Sequence, residues 1–257
     1  MIDLHCHVLP GVDDGPATVE AAIALAREAR ADGITTIAAT PHVSWSHPAV
    51  DSALIADAVR ALQHRLDASE VDVRIVPGAE VAATRAVELD DTELRKLTLG
   101  SGPWLLVECP TSPTLTPGFP AIAASLASRG HRLLLAHPER SPVFLRTPEL
   151  LEEFVASGML TQVTAGALSG VYGRTIRAFA LRLLDRGLVH VVASDAHGGR
   201  RPARIAGELR ATQIGAELTS WLADDAPAAL LAGESLPPRP DSTPRVPRRR
   251  LFRHLRH

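Results

Sequence analysis

The chain has 257 residues and a formal net charge of -2, with 46% hydrophobic and 22% charged residues. That composition suits one folded domain or two small ones, and it excludes a disordered chain, a collagen and a coiled coil. Two cysteines exclude a disulfide framework. The near-zero charge gives no global field for nucleic acid or membrane, and the lack of a leader or an apolar span reads as cytoplasmic.

Taken in chain order, the first apolar run, Ile2–His5, reads as a buried strand. It runs into His5-Cys6-His7 and the Gly-bounded turn Gly11-Val12-Asp13-Asp14-Gly15. Thr18 is placed to cap a helix that buries Val19, Ala22, Ile23, Ala26 and Ala29, with Gly33 just past its end. The second strand, residues 34–40, ends in Thr40-Pro41-His42. Val50, Leu54, Ala58, Leu62 and Leu66 mark the next helical stripe. Residues 73–81 form a third strand carrying Glu80, and Gly100-Ser101-Gly102 turns into a fourth, Trp104–Glu108. The fifth, residues 132–137, leads into Pro138-Glu139-Arg140. Thr147-Pro148-Glu149 reads as a helix start with a capping hydroxyl, and Gly158 as its stop. A sixth strand, Leu160–Thr164, is followed by a helix burying Ile176, Phe179, Ala180, Leu183 and Leu184 up to Gly187. The seventh, residues 189–194, opens onto Asp195-Ala196-His197.

Seven strand–helix alternations, several strands apolar on both faces, predict an α/β fold with a parallel sheet, either barrel or doubly wound. No Gly-x-Gly-x-x-Gly follows the first strand, which weakens the dinucleotide-binding form. The folded domain is expected over residues 1–232. From about Gly233 the text turns Pro- and Arg-rich, and 233–257 reads as a disordered basic tail. Residues 245–257 hold six arginines and no acid, leaving about -8 on the rest.

Six of the seven strand ends carry His, Glu or Asp. Were those ends to share one rim, imidazoles and carboxylates would crowd together, and cations are what make such crowding tolerable. Mixed nitrogen and oxygen donors suit Zn, Mn or Fe. In a strand, residues i and i+2 share a face, so His5 and His7 point together, as do Asp195 and His197 if the strand runs that far, while Cys6 points away. About eight donors exceed the needs of one ion, so a two- or three-metal cluster is expected. Such a cluster makes a hydroxide near neutral pH and clamps a phosphoryl group. Arg140 and Arg201 stand close enough in sequence to contact a phosphate bidentately. Either Asp13 or Asp14 offers a further ligand or a general acid. His64, His131 and His190 read as ordinary structural histidines away from the rim, and His47 as a residue near the mouth. Neither cysteine begins a Cys-x5-Arg loop: six residues on stand Val12 and Leu115. No P-loop is present, and the only lysine is Lys96.

The run Met1–Gly15 resembles the bacterial protein-tyrosine-phosphatase branch (CpsB/YwqE type) of the PHP, or polymerase and histidinol phosphatase, superfamily. Thr40-Pro41-His42, Gly78-Ala79-Glu80, His137-Pro138-Glu139-Arg140, residues 164–170 and Ser194-Asp195-Ala196-His197 resemble it too, over about 1–220. The resemblance implies a distorted (β/α)7 TIM-like barrel with a trinuclear site, commonly Mn2+, with Fe or Zn as alternatives. It implies His5, His7, Glu80 and Asp195 on one metal, Glu80 bridging to a second held with Glu108 and His137, and His42, His197 and Asp14 on the third. Arg140 and Arg201 would bind phosphate. In the reaction this predicts, Asp14 or metal-bound water protonates the leaving oxygen. The implied substrate is phosphotyrosine on a cognate tyrosine autokinase of capsule or exopolysaccharide synthesis, hydrolysed by metal-hydroxide attack without a phosphoenzyme. The alternatives are a PHP phosphatase of a small ester such as histidinol phosphate, and a non-catalytic metal-binding scaffold. Two loops depart from the family pattern: Val43-Ser44-Trp45-Ser46-His47, and Gly198-Gly199-Arg200-Arg201-Pro202, which is a residue short. The basic tail, with Arg248-Arg249-Arg250, Leu251, Phe252 and Leu255, suggests weak contact with an anionic membrane surface.

Overall fold

The computed structural model describes residues 1–110, 118–199, 201–212 and 214–241. Among them, nine strands run in two all-parallel sheets. One has the order β1 (Ile2–Cys6), β2 (Thr36–Ala39), β4 (Arg74–Pro77). The other runs β3 (His42–Val43), β5 (Glu80–Ala82), β6 (Trp104–Glu108), β7 (Arg132–Ala136), β8 (Leu160–Thr164), β9 (Val191–Ala193).

Two of the seven expected strands are each interrupted, so that one part lies in each sheet. Pro41 interrupts the second, because it has no N–H to give a ladder. Gly78 interrupts the third, where a side chain would crowd Leu99 at 3.0 Å. Glu80 N still donates to Pro41 O across the break (3.1 Å).

Period-two alternation divides the core. Leu105 and Val107 face the helices, whereas Trp104 and Leu106 join Leu134, Ala136, Val191 and Ala193 in a second buried cluster. Glu108 ends β6 on the same face as Leu106, so that cluster leads up to the polar strand ends. A register shift between Asp3 and Cys6 lets Leu4 join the second cluster while Cys6 joins the first.

The helices follow expectation with two corrections. Helix Val19–Ala31 is capped by Thr18, whose hydroxyl accepts from Ala21 N. Helix Ser52–Ala68 buries Ile55, Val59, Leu62 and Leu66 and leaves Leu54 exposed, because Asp51 caps it and its carboxylate takes Leu54 N (2.8 Å). Helix Pro148–Ala156 starts where expected, but the Thr147 hydroxyl makes no cap bond; the Thr147 N–H instead ends the preceding turn on Val143 O.

The segment after Gly233 also departs from its expected disorder as far as Asp241. Trp221 Nε1 donates to Pro237 O (3.0 Å), Arg239 donates to Leu184 O (3.0 Å), and Leu236 packs on the core. Arg248–Arg250, Leu251, Phe252 and Leu255 lie outside the described residues. Among the described residues no helix is long and apolar enough to cross a membrane.

Candidate metal centre

Parallel strands deliver their C-terminal ends to one side, and that is where the predicted ligands meet. His42 opens β3 in register with Glu80 at the start of β5, and Glu108 ends β6 opposite Ala82. Beyond β7 and β9 the chain does not continue as strand. His137 (φ 35°) and Asp195 (φ 52°) adopt the left-handed conformation, at a cost of about 1–3 kcal/mol each for a residue with a Cβ. The expected shared strand face of Asp195 and His197 is therefore not what brings them in, since β9 stops at Ala193. Backbone bonds do so: Asp195 N donates to His5 O and His7 N to Ala196 O, both 2.8 Å. Gly198 (φ 78°) then turns the chain so that Arg201 pairs back on it.

Three imidazoles are anchored by one nitrogen and present the other inward. His5 Nδ1 donates to Gln162 Oε1 (2.8 Å), His7 Nδ1 to Asp13 Oδ2 (2.6 Å) and His197 Nδ1 to the Asp195 carbonyl (3.1 Å). Once the ring is neutral, each Nε2 is left with its lone pair free, the arrangement that metal-ligating histidines take. His5 Nε2 and His7 Nε2 face each other at 3.2 Å. Glu80 Oε2 stands 3.3 Å from both and 3.1 Å from His42 Nδ1. Asp195 Oδ1 is 3.5 and 3.7 Å from the same two Nε2 atoms. Asp14 Oδ1 lies 3.2 Å from His197 Nε2 and 3.7 Å from His42 Nε2. His137 Nε2 is held by Glu80 Oε1 (2.7 Å) and is 3.9 Å from Glu108. The nine predicted ligands thus form one connected cluster. Within it, His7, Asp14, His42 and His197 could hold one ion, His5, His7 and Glu80 another, and His42, Glu80 and Glu108 a third.

The pair Asp13–Asp14 is divided by function. Asp13 is an orienting acid: it also accepts the N–H groups of His42 (2.9 Å) and Gly15 (3.0 Å), and its hydrogen bond with His7, aided by those two, holds its pKa at about 2 despite burial. Asp14 is 55% exposed at the rim. Gly15 permits this turn, since a Cβ there would sit 2.3 Å from His7 O.

Cations fit this donor set. Glu80 Oε2 and His197 Nε2 are buried and lack an aligned hydrogen bond among the described residues, although ionisable partners stand 3.1–3.3 Å away, the contacts a cation would take over. Burial should depress the His5 and His42 imidazoles, but Glu80, aided at His5 by Asp195, outweighs it and holds both at about 9. Burial and repulsion from Glu80 push Glu108 up to about 7. Burial, His7 and Arg201 lower His197 to about 4. The metal-free cluster therefore carries protons in place of cations.

The sign of the pH dependence follows. His5 and His42 have raised folded pKa values. Their stabilisation of the metal-free fold is full below about 6.5, the ordinary value, and is lost as pH rises through about 9. Metal affinity moves the other way. Loading at pH 7.5 should expel about two protons, seen by calorimetry in buffers of different ionisation enthalpy. Proton release near zero would contradict this.

Arg140 NH1 (2.8 Å) and Arg201 NH2 (2.7 Å) converge on Asp195 Oδ2, so both predicted arginines flank the cluster. The loop after His42 reaches the mouth through His47, stacked on His42 at 5.7 Å, while Trp45 is 55% exposed under Arg85. His131 pairs with Asp91 and His190 with Thr161, away from the cluster. Both thiols are buried, and burial raises their pKa, that of Cys109 to about 12. Neither is a thiolate nucleophile.

Sequence reading missed Gln162 and Asp3. Gln162 is a fully buried amide flanked in its strand by buried Thr161 and Thr164, so it carries no signal of its own. Asp3 accepts Ser194 N (3.0 Å) and His5 N (3.2 Å), joining the ends of β1 and β9. Gln162→Leu should lower metal affinity by about 10–100-fold, the usual cost of losing an orienting partner, as read by metal titration; unchanged affinity would remove Gln162 from the site.

The profile of the capsular polysaccharide synthesis family CpsB/CapC matches residues 1–231. Tyrosine-protein phosphatase YwqE of Bacillus subtilis (strain 168) is 34% identical over 259 residues, covering 98% of this chain and 99% of its own length. Tyrosine-protein phosphatase CpsB of Streptococcus pneumoniae is 30% identical over 245 residues, covering 90% and 98%. A solved structure from work on YwqE and CpsB, described there as metal-dependent tyrosine phosphatases, superposes with a TM-score of 0.80 at 32% identity, covering 94% of this chain and 99% of that one. A phosphotriesterase from Mycobacterium tuberculosis shares the fold, with a TM-score of 0.55 at 14% identity over 90% and 93% of the two chains.

Proposed function

The chain belongs to the CpsB/CapC family, and on that footing we propose that it is a metal-dependent protein-tyrosine phosphatase acting on a tyrosine autokinase of capsule or exopolysaccharide synthesis. The observation that carries the reading is the inward convergence of His5, His7, His42, His197, Glu80 and Asp14 with two buried donor atoms lacking an aligned hydrogen bond. The two sheets read as one distorted (β/α)7 barrel, a view supported by the β1–β9 end contacts.

His5, His7, Glu80 and Asp195 would hold one ion. Glu80, Glu108 and His137 would hold a second, and His42, His197 and Asp14 a third; manganese is the expected metal, with iron or zinc as alternatives. When bound, such ions supply a nucleophile at neutral pH and neutralise phosphoryl charge. Gln162, Asp13 and the Asp195 carbonyl keep three imidazoles in the ligand tautomer. Arg140 and Arg201 would bind the phosphoryl oxygens from the side, and the departing tyrosine oxygen would take its proton from water, or from Asp14 at the open rim only where Asp14 is protonated and not a ligand. The reading is cytoplasmic, where Cys6 and Cys109 stay reduced. Weak contact of the basic tail with an anionic membrane surface belongs to the same reading.

Turnover of a phosphotyrosine peptide against histidinol phosphate, at equal Mn2+-loaded enzyme, tests the substrate class. At least tenfold higher kcat/KM for the peptide is expected. The reverse preference would favour the small-ester reading, and turnover of neither the non-catalytic scaffold.

A further inference from the structure

A second cavity, of about 190 Å3, lies beside the cluster and shares Arg201 with it. Val171, Tyr172 and Pro202 form its apolar side, and Ser194, Arg204 and Glu208 line the polar side. Val171 is 66% exposed, although most large hydrophobic residues among those described are covered. The Tyr172 ring stands 5.1 Å from the Arg140 guanidinium, which itself pairs with Asp195. Gly166 lets this wall close in, because a Cβ there would meet Val171 Cβ at 3.3 Å and the Tyr172 ring at 3.5 Å. Thr164 is 1% exposed, and its Oγ1 has no hydrogen-bond partner among the described residues.

We propose that this slot seats the aromatic ring of the phosphorylated residue, with Val171 and Tyr172 as its specificity-determining wall. The inference rests on the phosphatase reading and names what that site selects. A phosphoryl group held between Arg140 and Arg201 has its ester substituent next to the slot they border. At about 190 Å3, below the roughly 300–1,000 Å3 of sites for drug-sized ligands, the slot has room for one ring. Val171, Tyr172 and Pro202 offer the face of a ring an apolar wall, while the ester oxygen stays with the arginines. An alkyl phosphate would leave Val171 and Tyr172 uncovered.

The test uses the full Mn2+-loaded chain and two readouts. The first is kcat/KM for phenyl phosphate relative to glycerol phosphate. The second is equilibrium binding of phenylphosphonate relative to methylphosphonate, which needs no turnover. Wild type should prefer the phenyl member of each pair. Val171→Ser and Tyr172→Ala should cut that preference by about three- to tenfold, the scale of one aromatic contact, and Tyr172→Phe should keep it. An unchanged preference in both variants would overturn the proposal. So would equal losses for phenyl and alkyl ligands in Tyr172→Ala, since the ring would then only prop Arg140. Should wild type turn over neither ester, the phosphatase reading falls, and the phosphonate pair still decides whether the slot takes a ring.

Discussion

Glu80→Gln is expected to lower phosphotyrosine turnover by roughly 10³-fold, the upper end for removing one preorganised charge-stabilising group, and to strip bound metal. Shape is nearly conserved in this change, so the effect isolates charge. Glu80 Oε2 lies within 3.1–3.3 Å of nitrogens on His5, His7 and His42, and Oε1 takes His137. Surrounding imidazoles, His5 and His137 foremost, hold its pKa well below the carboxylate range despite complete burial. An amide would offer no negative charge to cations and would release the His5 and His42 protons toward ordinary pH. Metal content by elemental analysis and kcat/KM should fall together. Full metal occupancy with lost activity would move Glu80 from ligand to a role in the chemical step alone.

Arg140→Ala should cost about 10²–10³-fold in kcat/KM while leaving metal content near that of wild type. Its guanidinium is half-buried, anchored on Asp195 Oδ2 and stacked on Tyr172, so its fork is already aimed. Lysine carries the charge without the fork and should restore only part of the loss. Arg201 meets the same carboxylate oxygen from a more exposed position, so Arg201→Ala should cost less. Turnover by Arg140→Ala at the wild-type rate would show that the phosphate is held elsewhere.

Much of this site is legible in the sequence. Parallel strands carry their C-terminal ends to one side, so a His, Glu or Asp at six of seven ends had to meet. The exceptions have physical reasons. Asp195 and His197 looked like a strand pair, but a left-handed residue and backbone bonds to β1 bring them in. Asp13 and Asp14 are adjacent in a turn, and only the fold assigns one to orient His7 and the other to the rim. Gln162 is invisible because, between Thr161 and Thr164 in a buried strand, it resembles an ordinary satisfied amide. The Leu54 stripe misread its helix by one position, because the cap at Asp51 sets the phase. Residues 233–241 looked disordered by composition, yet Leu236 and Arg239 find partners on the folded body that composition does not register.

The most direct test of the central claim is phosphotyrosine peptide hydrolysis before and after exhaustive chelation, with Mn2+ added back and a parallel thiol alkylation. Activity should vanish on chelation, return with Mn2+, and ignore the alkylator, since Cys6 and Cys109 are buried and protonated. Activity that survives chelation and dies with the alkylator would contradict the account.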